Sequence, residues 1–299
     1  MEVLYTAAEL FRYADRKILE AATRVWPRAD EVRLGAHVPS VTGYVRGIAV
    51  DGEELFAKYS FLGLSLVSVV RGTCGSWAAV RAAQAAYIAS SGTLLEREAE
   101  QLKLLSLSGV RAAEAAGYRD DVLFTRPLHG PTFGELIAKE PDRTEELATR
   151  ALREMDAALR HVAARAESVQ ITERGIPATF GRKFNRISGR AYLGQAGEFG
   201  PVLREVVARL RRLGQATATG PRPLIYGDFK PEHIVYPNGP SAAPGFLDPG
   251  IAPGRGSVDM AKLISRTVLA RKSSTTTPGQ PSPPPSPTPK PPDTSPPLC

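Results

Sequence analysis

Apolar residues recur at helical spacing over the first stretch of the chain. Leu10, Ala14, Ile18, Ala21 and Val25 form one stripe between charged positions, which predicts an amphipathic helix. From Val32 the pattern changes. Residues 41–50 and 55–61 read as strands, and the Asp51-Gly52 pair between them predicts a hairpin. Small residues crowd positions 72–92 around an Ala-rich helical piece, read as part of an insertion over 63–92. A helix is expected over 94–107 and a short buried strand over 121–127. A long helix follows over 145–166, with Leu147, Ala151, Met155, Leu159 and Val162 on one face, and another over 199–213. Short apolar segments at 224–226, 234–236 and 245–247, divided by Gly, Pro and Asn turns, read as strands, and a last helix occupies 258–269. From Ser273 onward the chain is mostly Ser, Thr and Pro, too poor in apolar groups to fold, and is expected to be disordered or polyproline II.

This order, strands with one major helix followed by helices with short strands, predicts an α+β chain of two lobes with a ligand cleft between them. The expected division is an N-terminal lobe over 1–126, a C-terminal lobe over 127–272 and a tail over 273–299. The 299 residues are 42% hydrophobic and 23% charged, ordinary for a globular protein. A net charge of +7 favours anionic ligands, such as nucleotide phosphates, without naming one. The basic stretch at 204–212 reads as a solvated helix face, so no nucleic-acid partner is expected. The longest apolar run, at 61–70, is too short to span a bilayer, and the N-terminus carries acidic residues unlike a signal peptide. A cytoplasmic protein with no membrane association is expected. Cys74 and Cys299 give neither a disulfide framework nor metal-ligand spacing.

Candidate chemistry gathers in one region. Asp228 leaves a short strand into the compact loop Gly227-Asp228-Phe229-Lys230-Pro231-Glu232-His233. Asp248 leaves another in Phe246-Leu247-Asp248-Pro249-Gly250, and Asp259 opens the last helix. Phosphoryl transfer needs such a set: one carboxylate to align and deprotonate a hydroxyl, another to hold Mg²⁺, a hard ion that takes oxygen ligands.

Tyr226-Gly227-Asp228-Phe229-Lys230-Pro231-Glu232-His233 resembles the His-Gly-Asp-x-x-x-x-Asn loop of the aminoglycoside phosphotransferase and choline kinase-like family, and Phe246-Leu247-Asp248-Pro249-Gly250 is similar to that family's metal-binding motif. The resemblance runs from about residue 30 to 270 and implies a bilobal protein kinase-like fold. It implies Asp228 as catalytic base, Asp248 as Mg²⁺ ligand and Asp259 as the carboxylate bracing the catalytic loop. It further implies that Lys58, in Leu55-Phe56-Ala57-Lys58-Tyr59, grips the phosphates of ATP. Lys58 needs a Glu on the next helix, and Glu98 lies on the apolar stripe of Leu95, Leu102 and Leu105, where a carboxylate is costly unless paired. The glycine loop over 35–43 would cover the phosphates, with Ser40 beside the β-phosphate, and Phe124 and Thr125 would form the hinge holding adenine by its backbone. Two positions depart from the family. Tyr226 stands for its His, and His233 stands for its Asn, as a metal ligand or as a prop for Asp228. Family members continue with several helices where this chain enters its Pro-rich run, so the C-terminal lobe reads as shortened. The expected activity is transfer of the γ-phosphate of ATP to a hydroxyl of a small molecule, such as an antibiotic, a sugar or an amino alcohol. The positive charge speaks against a polycationic acceptor. The alternative is a nucleotide-binding pseudokinase or regulatory module without turnover.

Overall fold

The computed structural model of the chain describes residues 5–40, 43–70, 74–165, 196–216 and 223–275. Most of the expected Pro-rich tail, and Val41 and Thr42 of the expected glycine loop, lie outside the described residues.

Helix α1 (Ala7–Val25) starts at a capping box in which Thr6 accepts from the Glu9 amide and the Glu9 carboxylate accepts from the Thr6 amide. Its stripe of Leu10, Ala14, Ile18, Ala21 and Ala22 is buried. Strands β1 (Val32–Val38), β2 (Tyr44–Val50) and β3 (Glu53–Tyr59) form an antiparallel meander. Asp51 and Gly52, both at positive φ, make the expected hairpin turn between β2 and β3. Helices α2 (Leu66–Val70) and α3 (Trp77–Ile88) occupy the insertion. They pack on α1 and β3, tied down by Gln84, which accepts from the Leu62 amide and donates to the Ser60 carbonyl.

Helix α4 (Leu94–Leu107) leads into β4 (Arg111–Ala112), β5 (Ala115–Arg119) and β6 (Val122–Thr125). The main sheet has the order β1-β2-β3-β6-β5. In β3 the pleat turns Leu55, Ala57 and Tyr59 to the α1 core and leaves Lys58 on the opposite face. The remaining elements are α5 (Phe133–Lys139), α6 (Thr144–Arg165), α7 (Gly200–Ala216), β7 (Leu224–Ile225), β8 (Ile234–Val235), β9 (Gly245–Phe246), β10 (Ala252–Pro253) and α8 (Gly256–Thr275). A second core joins the end of α4 to α5, α6 and α8 around Tyr226, Phe229, Tyr236 and Phe246. Strand β4 pairs in parallel with β9, so the chain leaving α4 is stitched to the segment that precedes Asp248. Among the described residues no helix is long and apolar enough to cross a membrane.

The glycine loop is shorter than expected, because Gly35 to Val38 belong to β1. Gly35 faces Gly47 of β2 so closely that a Cβ at Gly35 would lie 3.3 Å from the Gly47 carbonyl. That glycine serves close strand pairing rather than a turn.

Candidate active site

Helix α4 begins with the Thr93–Glu96 capping box, which fixes its rotation and sets Leu95, Ala99 and Leu102 against Leu123 of β6. Glu98 shares that buried side and meets the Lys58 ammonium at 2.5 Å. The same ammonium donates to Asp248. Burial alone would lower the Lys58 pKa, but the Asp248 and Glu98 carboxylates outweigh it and hold the ammonium above its usual range. Thus three residues far apart in sequence form one charge cluster.

The loop carrying Asp228 is braced from below. Asp259, in the first turn of α8, accepts from the amides of Tyr226 (2.7 Å) and Gly227 (2.8 Å). Above it, the Gly250 amide donates to the Tyr226 carbonyl at 2.9 Å, and Tyr226 Oη donates to the Leu247 carbonyl at 2.5 Å. The buried tyrosine therefore links the two aspartate-bearing loops. Gly227 adopts φ +82°, and a Cβ there would fall 2.0 Å from the Gly250 oxygen, so only glycine fits.

Asp228 has a cation at each oxygen: Lys262 Nζ lies 2.5 Å from Oδ1, and Lys230 Nζ lies 3.0 Å from Oδ2. Burial would raise its pKa, but the Lys262 hydrogen bond, the charges of Lys262 and Lys230 and, in the acid range where its ring is protonated, that of His233 bring it below the usual carboxylate range. His233 stands between the two aspartates. Its Nδ1 is 3.1 Å from the Asp228 carbonyl, and its Nε2 is 3.5 Å from Asp248 Oδ2. Burial lowers the His233 pKa, which keeps the ring neutral at pH 7. A carbonyl can only accept, so Nδ1 carries the proton and Nε2 turns a lone pair toward the Asp248 carboxylate. Two acceptors facing each other are relieved by a cation between them. Asp248 sits at φ +53°, and burial, which would raise its pKa, is overcome by Lys58 and, in the acid range, by the protonated His233 ring, leaving it at about 2.

These groups open into a cleft of about 770 Å³, within the range of small-molecule sites. Lys58, Glu98, Asp228, Lys230, His233 and Asp248 all line it. So do Ser40, whose hydroxyl accepts weakly from the Gly43 amide at 3.5 Å, and Thr125. Phe124 does not. Its ring lies on the other face of the sheet, edge-on to Trp26, and its backbone pairs within the ladder, so Arg126 and Leu128 join Thr125 at the cleft edge instead. The alternation of β6 turns Leu123 and Thr125 one way and Phe124 the other. Three residues went unassigned in the sequence. Lys230 was visible inside the motif. Lys262 comes from a helix 34 positions on. Buried Gln101, one turn after Glu98, accepts from the Ile251 amide at 3.2 Å and ties α4 to the loop after Asp248.

No protein-family model and no curated protein matches the chain. Solved structures do. A mutant of an aminoglycoside 2'-phosphotransferase-IIIa in complex with GDP superposes over 87% of this chain and 80% of its own, with TM-score 0.52 and 16% identity. The chain has a protein kinase-like fold. A Streptomyces rimosus aminoglycoside phosphotransferase with ADP and streptomycin matches over 88% of this chain and 90% of its own, with TM-score 0.46 and 15% identity. A Plasmodium vivax ethanolamine kinase matches over 84% of this chain and 65% of its own, with TM-score 0.47 and 12% identity. Within the kinase-like fold of this chain, the five-stranded sheet and α4 supply Lys58 and Glu98 to the cleft, and the two short loops after β7 and β9 supply Asp228 and Asp248.

The carboxyl groups make stability depend on pH in two opposite ways. Asp121, fully buried at a positive φ, is pushed up to about 7 by burial. With its folded pKa above the unfolded value of about 3.9, it contributes stability at low pH that is lost as pH rises through about 7. Asp228 and Asp248 have depressed values, so their contribution is present above about pH 4 and lost at lower pH, in the case of Asp248 as pH falls through about 2. The melting temperature of the wild type relative to Asp121→Asn, followed by circular dichroism, should therefore rise as pH falls from about 7 to about 4, and that of both proteins should fall below about 4. A difference between the two that does not change with pH would contradict the assignment.

Proposed function

We propose that the protein transfers the γ-phosphate of ATP to a hydroxyl group of a small molecule. The observation that carries the reading is the convergence of Lys58, Glu98 and Asp248 on one point of the cleft that Asp228 also lines. A positive centre held by two carboxylates suits a polyphosphate, and a separate carboxylate one loop away suits its acceptor.

In this reading Lys58, oriented by Glu98, binds the inner phosphates of the nucleotide, and the backbone near Ser40 covers them. The hinge beyond Thr125 receives adenine. Among the described residues there is no group of three or more His, Cys, Asp or Glu side chains that could hold a metal unaided. Asp248 with the lone pair of His233 Nε2 makes a two-residue site, which fits a cation that keeps nucleotide phosphates and water as its other ligands. Mg²⁺ bound there by Asp248 and His233 would neutralise charge on the phosphates. Asp228 aligns the acceptor hydroxyl and takes its proton as the oxygen bonds to the γ-phosphorus and the bond to the β-phosphate oxygen breaks, releasing ADP. Lys230, on the cleft side of Asp228, balances charge on the phosphoryl group in flight. Asp228, anionic at pH 7 because of its cations, is in the state a base requires.

Calorimetric titration with ATP tests this directly. Micromolar affinity that depends on Mg²⁺ and falls at least tenfold in Asp248→Ala is expected, since a metal ligand is removed. A folded wild-type protein that does not bind ATP with Mg²⁺ would overturn the reading.

A further inference from the structure

Lys262 has no place in the nucleotide side of this site. It rises from α8, is absent from the walls of the cleft, and still reaches the candidate base. Of its three N–H groups, one goes to Asp228 Oδ1 at 2.5 Å and one to the Gly227 carbonyl at 2.9 Å. Its side chain remains about one-third exposed, and these two bonds leave its third N–H group for a ligand. On the other oxygen of Asp228 stands Lys230. Asp228 is thus flanked by an ammonium on each of its oxygens.

Among the described residues, the other acidic groups of the site are already engaged. Glu98 and Asp248 hold Lys58, and both oxygens of Asp259 accept backbone amides. Asp259 is buried beneath the loop and Asp228 is shared by both ammoniums, so the charged groups beside the base on the α8 side are Lys262 and Lys230, the opposite of what a polyamine acceptor requires. An amine brought within about 5 Å of these two ammoniums would be repelled, and a carboxylate or phosphate attracted, by roughly 10- to 100-fold in affinity at a partly exposed site.

We propose that Lys262 is a specificity-determining residue that selects an anionic acceptor, a small molecule with a carboxylate or phosphate close to the hydroxyl to be phosphorylated. The proposal rests on the phosphotransferase reading of Asp228 and narrows its substrate class. A hydroxyl next to the anion lies on Asp228 while the anion takes the open side of Lys262. The reaction is the same displacement: the hydroxyl proton goes to Asp228, and the ester oxygen gains the phosphoryl group as ADP leaves.

The test uses the full chain loaded with ADP and Mg²⁺ and a matched set of three-carbon probes. Glycerate and glycerol 3-phosphate are anionic, glycerol is neutral, and serinol (2-amino-1,3-propanediol) is cationic. Calorimetry should rank both anions at least tenfold above glycerol and serinol last. Lys262→Gln should shrink the ratio of anion to glycerol affinity at least fivefold, whereas Lys262→Arg, which keeps the charge, should preserve it. A purely structural lysine would weaken all four probes in proportion and leave the ratio unchanged, which would overturn the proposal. So would serinol binding as well as glycerate to the wild type, a result that needs neither variant. Failure of the wild type to load ADP and Mg²⁺ is a different outcome. It rejects the phosphotransferase reading itself, and this inference with it.

Discussion

Exchange of Asp228 for asparagine is expected to lower phosphotransfer by ~10²–10⁴ while leaving the affinity for ATP and Mg²⁺ within about threefold. Asparagine keeps the size and one carbonyl oxygen of the side chain but has no basic site for the hydroxyl proton. The nucleotide contacts assigned to Lys58, Glu98 and Asp248 do not pass through Asp228, so binding and turnover should separate. A complication is electrostatic. Asp228 is the shared counter-ion of Lys230 and Lys262, and its removal leaves two ammoniums facing each other. Some loss of thermal stability should accompany the variant, so turnover is to be compared at a temperature where calorimetric nucleotide binding shows the protein intact. Unchanged turnover there would remove Asp228 from the reaction.

The second large effect is on folding. Gly227→Ala meets two penalties at once. A left-handed φ costs a residue with a Cβ about 1–2 kcal/mol, and overpacking against a fixed backbone adds about 1–3 kcal/mol. At Gly227 φ is +82° and the added carbon would overlap the Gly250 oxygen at 2.0 Å. A side chain can rotate away from such a clash, but here both partners are backbone, held by the Gly250–Tyr226 hydrogen bond and by Asp259. Denaturant unfolding should show a loss of about 3 kcal/mol or more, enough to unfold a marginal domain. Gly239→Ala is the matched control. Its φ is +84°, yet nothing lies within 4 Å of the added carbon, so only the conformational penalty of about 1–2 kcal/mol should appear. Equal losses at the two positions would mean that the loops do not meet as described.

The charge cluster was legible in the sequence because its members obey local rules. Glu98 was marked by standing on an apolar helical stripe, and its contact with Lys58 is the pairing that such a position demands. Asp228 and Asp248 were marked by strand-to-loop exits with fixed spacing. What escaped had weak local signals. Strand β1 lacks alternation in its middle, where Gly35, Ala36 and His37 are all exposed. Strand β5 reads Ala-Ala-Gly-Tyr-Arg, with one good strand former, and is made a strand by its pairing with β6. Helix α5 was missed for its brevity, although Thr132 and Glu135 form a capping box at its start. A motif gives the position of a strand and not which face each side chain takes, so Phe124, expected at the hinge through its backbone, keeps its ring off the cleft. Lys262 was invisible for a further reason. A lysine on an amphipathic helix normally reads as solvated, and only the tertiary fold brings it to Asp228.

Helix α4 belongs to neither half of the molecule alone. Leu95, Ala99 and Leu102 pack with the sheet, Leu104 and Leu105 pack with α5 and α6, Gln101 accepts from the Ile251 amide, and Glu98 holds the Lys58 ammonium that also pairs with Asp248. Detaching either half would strip apolar surface from the same helix and strand its buried polar groups. The free energy of opening one half therefore includes part of that of the other, and melting of this chain is expected to be a single cooperative event despite its separate cores.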